Sequence, residues 1–266
     1  MPLPASYESP ESPSKPAQDH PGRWLGSAEL LDLEDPKLRL RVHALTQLCK
    51  TERERALAIY GFVKRLTFSK PFKLRLRTAR EVIDAGRGDA DDKAAVIVAM
   101  MRVAEIPARL RYIELRGEIL RGLTSGVASA ARPVAEIWVG DKWLRTDTYI
   151  FDAAYMAAAR QRLKDQGWEW GYGIHRDGNA IWSAAGDAWL GGMPTSKDPM
   201  VLGDFGLFND PAELLQSQAW REAHPRVARA VQWNVLAPMM EKVVRELRQE
   251  ASSGAGAAPS SPRRIS

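Results

Sequence analysis

The sequence predicts an α+β domain, and three observations carry that prediction. Helix-period segments come first, strand-period segments follow, and helical patterns return toward the end of the chain. One helical segment, from about Asp91 to Ala104, is apolar nearly all round and so belongs at the centre of a fold. The stretch "VAEIWVGDKWLRTDT" reads as a hairpin, because Gly140-Asp141 is a two-residue turn between aromatic and β-branched arms.

Each element has a local reason. Pro36 opens a helix through "KLRLRVHALTQLCK", with Leu38, Val42, Leu45 and Leu48 at helical spacing. Thr51 and Glu54 form a capping-box pair before "ERERALAIYGFVKRL", whose Leu57, Ile59, Tyr60, Phe62, Val63 and Leu66 give one wide apolar face. Thr78 and Glu81 repeat the pair before "REVIDAG". Pro107 ends the central helix and launches the strand "ARLRYIEL". A helix is expected at "AAYMAAARQRLKDQ", then an irregular Gly- and Trp-rich segment over 167–206. Asp210-Pro211 caps a further helix, and a last one over 225–248 presents Val227, Val231, Val235, Met239 and Val243 to the core. Residues 1–22 read as a disordered leader, 23–250 as one domain with C-terminal helices over 211–248, and 251–266 as a flexible tail.

Composition narrows the function classes. Charged residues make up 27% of the chain, the formal charge is +5 and the isoelectric point is near 9.4, but Lys and Arg are spread among Asp and Glu rather than blocked. Nucleic acid is therefore not the expected partner. The single Cys49 excludes an internal disulfide framework and reads as a buried or incidental thiol. The leader lacks a signal peptide's apolar core and no later stretch approaches a membrane span, so a cytoplasmic location without membrane contact is expected.

The segment Gly88-x-Ala90-x-Asp92-Lys93, followed by "MMRVAEIPAR", resembles the core of the transglutaminase-like superfamily, which shares the papain-like cysteine protease fold. There a Gly-x-Cys-x-Asp segment opens the central helix, and Arg-x-x-Gly-Ile-Pro-Ala-Arg leads into the sheet. Arg102, Ile106, Pro107, Ala108 and Arg109 match that run, with Glu105 in place of Gly. Glu136 and Trp143-Leu144-Arg145-Thr146-Asp147 match the strand portion, and the resemblance covers roughly residues 55–150. It implies a central helix packed on an antiparallel sheet.

The same resemblance places the family's nucleophile at Ala90, its base at Arg132 and its acid at Asp147. A thiol at a helix N-terminus is activated by unpaired N–H groups, and an acid-oriented imidazole shuttles its proton. Alanine has no lone pair and arginine does not act as a base near neutral pH, so thiol acyl transfer is closed to this constellation. No catalytic residue is expected to be intact.

Other candidates border the expected cleft. Asp89, Asp91 and Asp92 suit a hard cation or acid–base chemistry with Glu136 and Asp147, but acidic residues at a helix start more simply satisfy its free N–H groups and dipole. Arg132 facing Asp147 suits a structural ion pair. Trp143 belongs to the matching strand segment. Among the histidines, His20 lies in the leader, His43 on the first helix and His224 before Pro225, which leaves His175 as the one in the segment able to cover the cleft. Trp168, Trp170, Tyr172, Trp182 and Trp189 either line a groove or plug a long loop, and the plug reading is preferred.

The expected function is a non-catalytic binding or scaffolding module for a protein or peptide partner, without metal or cofactor. The alternative is a hydrolase or amidase working through Asp147, Asp92 and His175.

Overall fold

A computed structural model describes residues 20–223 and 236–255. Before the main sheet come α1 (Pro36–Thr46), α2 (Glu52–Arg65), β1 (Thr67–Phe68), α3 (Ala79–Ala85) and β2 (Arg87–Gly88). Helix α4 (Ala90–Val103) then runs through the interior, with every residue from Asp92 to Arg102 buried. That continuous burial is what an all-round apolar helix requires, and truncating Ile97 or Met100, both fully buried, would cost about 2–5 kcal/mol.

Strands β3 (Ala108–Arg116), β4 (Ser129–Trp138) and β5 (Trp143–Thr146) follow, then α5 (Ala153–Asp165), the short β6 (Trp170–Gly171) and β7 (Ile174–His175), and β8 (Val201–Phe208). Helices α6 (Pro211–Gln216), α7 (Gln218–Ala223) and α8 (Ala237–Ala255) complete the described chain. The main sheet has the order β5-β4-β3-β8 and all its pairings are antiparallel. The architecture is α+β, a central helix against an antiparallel sheet as the resemblance implies, with extra helices at the C-terminal end.

The caps explain where helices begin. Asp35 accepts from the N–H groups of Lys37 and Leu38 ahead of α1, at 2.9 Å each. Thr78 and Glu81 form the reciprocal box of α3. Thr51 caps α2 through the Glu54 N–H, but the Glu54 carboxylate reaches the Lys50 N–H instead of closing the box on Thr51. Helix α4 ends in a Schellman motif, in which the Ile106 N–H reaches the Met101 carbonyl and the Glu105 N–H reaches the Arg102 carbonyl. Glu105 takes the left-handed position of that motif, with φ 63°. The hairpin turn has Gly140 at φ 58° and Asp141 at φ 59°, the positive values that a type I′ turn demands.

Five expectations need correction. Helix α1 stops at Thr46, so Leu48 is not part of its apolar stripe and is 87% exposed. Residues 201–206 are not irregular: they belong to β8, which pairs with β3 through two register shifts. Gly203 and Gly206 hid that strand, because glycine weakens the strand pattern while permitting the φ of 101° at Gly206. On α8 the buried stripe is Met240, Val244 and Leu247, one position out of phase with the expected one, and Met239 is 45% exposed. Helix α8 also continues to Ala255, past the expected start of the tail. The 3-10 turn Pro21–Leu25 buries Trp24 just where the leader was expected to end. Residues 1–19, 224–235 and 256–266, and with them His224, Val227, Val231 and Val235, lie outside the described residues.

The aromatic-rich segment anchors itself in the core. Trp182 is almost fully buried, edge-on to Tyr60 at 5.5 Å, and its Nε1 donates to the Gly186 carbonyl. Trp189 packs with Ile113, Leu115 and Val134 on the sheet face opposite α4. Among the described residues, no helix is long and apolar enough to cross a membrane.

Candidate functional site

A cavity of about 710 Å³ opens beside the start of α4. Asp89, Ala90 and Asp91 border it from the helix, Arg132 from β4, Gly173 from the β6–β7 turn, and Leu214, Trp220 and Met240 from the C-terminal helices. Ala90 contributes only a methyl group to this wall.

The carboxylates at the helix start divide by partner. Asp89 and Asp92 cap each other's backbone, with Asp89 Oδ1 accepting from the Asp92 N–H at 3.2 Å and Asp92 Oδ2 from the Asp89 N–H at 3.0 Å. Asp89 also meets Lys70 Nζ at 2.9 Å and Lys73 Nζ at 2.7 Å. Burial pushes its carboxyl up, but those two cations outweigh it and hold it well below the usual carboxylate range. Asp92 faces Lys73 and Arg77, at 2.8 and 2.5 Å, and burial with the adjacent Asp89 raises its carboxyl. With these oxygens committed to cations, neither residue offers a metal ion an open coordination set, and no cluster among the described residues is arranged to hold one.

Asp91 differs. Its Oδ1 accepts from the Tyr112 hydroxyl at 2.9 Å, while no cation pairs with it among the described residues. Burial, reinforced by the Asp89 charge, pushes its carboxyl up to about 6. It is the acid at this site that titrates near neutrality.

Arg132 and Asp147 meet inside the fold. Arg132 Nη1 donates to Asp147 Oδ2 at 3.2 Å, and Nη2 donates to the Gly173 carbonyl at 2.5 Å. Asp147 Oδ1 accepts from the Leu190 N–H at 2.7 Å, and burial raises its carboxyl against the pull of Arg132. Tyr149 stands among these groups. Burial raises its phenol strongly, Asp147 and Asp91 raise it further and Arg132 opposes them, so one side chain senses all three. Its hydroxyl donates to the Pro133 carbonyl at 3.0 Å.

The remaining sequence candidates lie elsewhere. Ala135 and Ile137 join the core that contains α4, so Glu136 between them points to the opposite sheet face. There it is fully buried and accepts from Arg109 Nε and Arg111 Nε at 2.7 Å each and from Arg145 Nε at 3.1 Å. Trp143 shares that face: it is edge-on to Trp138 at 5.4 Å, and Arg109 lies over its ring at 4.0 Å. Arg132 is on the same side of the strand by alternation, but near its start it turns to Asp147 and Gly173 and reaches the cavity. His175 packs on Trp170 at 4.3 Å and accepts from the Asp177 N–H, outside the cavity wall. Reasoning on the sequence did not single out Tyr149, Tyr112, Lys70 or Lys73. Only Tyr149 carried a signal, as a large aromatic two residues beyond Asp147.

The sequence profile of the transglutaminase-like superfamily matches residues 41–148. That span includes α2, α4 and the hairpin strands, and ends one residue after Asp147. Over those residues the chain is similar to the transglutaminase-like core. A solved Cytophaga hutchinsonii protein, provisionally named a cysteine protease, is similar at 18% identity and a TM-score of 0.39, over 53% of this chain. The match spans 45% of that protein's length. No curated protein sequence matches. The start of α4 and the start of β4 border one cavity with Ala90 and Arg132, and Arg132 pairs with Asp147 just past β5.

Proposed function

We propose that this transglutaminase-like domain is a non-catalytic binding module. Its proposed partner is a protein or peptide that meets the cavity mouth near Lys70, Thr124 and Ser125. A cytoplasmic location is part of the same proposal. The observation that carries it is the Arg132–Asp147 ion pair, whose arginine borders the same cavity as the bare methyl of Ala90. Acyl transfer by a thiol needs a sulfur, a base and an acid that orients the base. Here the acid neutralises a permanent cation, and Ala90, on the cavity that Arg132 borders, has no side-chain lone pair.

The second reading is a hydrolase or amidase that uses surviving carboxyl groups. One observation favours it, the Asp91 carboxyl at about 6, since a general base works best near the operating pH. Against it, no imidazole among the described residues borders the cavity. Hydrolysis of a peptide panel, measured with Cys49 alkylated, separates the readings. The binding module gives no turnover above buffer. Turnover that disappears in folded Asp147→Ala or Asp91→Asn would establish the hydrolase.

A further inference from the structure

We propose that the inner cavity holds a single-chain aliphatic molecule whose uncharged head group donates a hydrogen bond to Asp91. The inference rests on the reading of this cavity as a binding site and names what fills it below the mouth.

Three observations converge. At about 710 Å³ the cavity falls in the range of small-molecule pockets. Its walls away from the start of α4 are largely apolar, with Leu115, Leu120, Leu123, Leu214 and Met240 among them. Two of the charged groups that border it are committed: Asp89 to two lysines, and Arg132 to Asp147 and the Gly173 carbonyl. A peptide strand would bring a donor and an acceptor with each residue, and each one left unpaired in an apolar wall costs free energy. An aliphatic chain brings none.

Asp91 then decides the head group. Tyr112 occupies one of its oxygens, and Oδ2 accepts no hydrogen bond among the described residues. A hydroxyl or amide head pairs with that oxygen. A carboxylate head meets the Asp91 charge, with Asp89 behind it, and is repelled.

Methyl-resolved NMR of the full chain, titrated at neutral pH with 1-decanol and with decanoate, tests this. 1-Decanol should shift the methyl signals of Leu123, Leu214 and Met240, and decanoate should bind at least about tenfold more weakly. Asp91→Asn should reduce that preference to within about twofold, because an amide accepts either head group. Leu123→Trp, which fills the cavity, should abolish the shifts. Unmoved cavity methyl signals, equal affinity for the two probes in the natural chain, or a preference that survives in folded Asp91→Asn would overturn the proposal. Should Asp91→Asn not fold, the two-probe comparison and Leu123→Trp still decide. Peptide turnover, by contrast, would overturn the non-catalytic reading and leave the decanol result untouched.

Discussion

Arg132 Nη1 lies 3.2 Å from Asp147 Oδ2, with the two side chains 9% and 3% exposed. On the proposed reading, Asp147 stands where the family's acid would orient an imidazole, and it balances a guanidinium. The pair is hydrogen-bonded on both sides, and a guanidinium does not give up a proton near neutral pH.

The ion pair should be costly to break from one side. Arg132→Met leaves Asp147 buried without its cation, and breaking such a pair costs about 3–5 kcal/mol. Urea denaturation should show that loss, and Arg132→Met with Asp147→Leu should recover much of it, since two apolar side chains leave no uncompensated charge. An unchanged urea midpoint in the single variant would contradict the burial of this pair.

Asp91 should make stability depend on pH in a defined direction. Its carboxyl is raised from 3.8 to about 6, in a setting of Asp89, Lys70, Lys73 and Tyr112. The folded state therefore favours the protonated form. That contribution is complete below the unfolded value and is lost as pH rises through about 6. Asp91→Asn removes the dependence, so the variant should gain on the natural protein by roughly 2–3 kcal/mol between about pH 4 and about pH 7. Denaturation at a series of pH values measures the difference, and a flat difference would contradict the assignment.

Glu105 should be replaceable with profit. It is exposed and sits at φ 63° in the Schellman motif that ends α4. A left-handed residue with a Cβ costs roughly 1–2 kcal/mol, so Glu105→Gly should raise stability by about 1 kcal/mol despite the added chain entropy. A lowered thermal midpoint would show that the side chain matters in a way its geometry does not reveal.

These cases show what the sequence made legible. The α+β class, the central helix and the hairpin could be read because Pro107, Gly140-Asp141 and the capping pairs act locally. The meeting of Arg132 and Asp147 was readable only through the family resemblance, since the pair is fifteen positions apart in sequence. Strand β8 was not readable, because its pairing with β3 is long-range and its glycines mask the alternation. Glu136 and Trp143 matched the family's strand, but the sequence could not say which sheet face they occupy. That depends on register and is set by contacts such as the Arg109 and Arg111 side chains. Lys70 and Lys73 reach Asp89 from a loop without periodic signal.

The cavity placement of Ala90 has its own test. Ala90→Cys should react with iodoacetamide, because the methyl group borders the cavity. Leu214→Trp in the same background should slow that reaction by filling the cavity. Resistance of Cys at position 90 in the folded variant would place it in the closed core instead.

The most direct measurement compares release of aminocoumarin from a panel of peptide amides by the natural protein and by Ala90→Cys with Arg132→His, which restores a thiol and an imidazole beside Asp147. The account predicts no release above buffer from the natural protein and measurable, iodoacetamide-sensitive release from the double variant. Release by the natural protein that survives alkylation of Cys49 and vanishes in folded Asp147→Ala would contradict it.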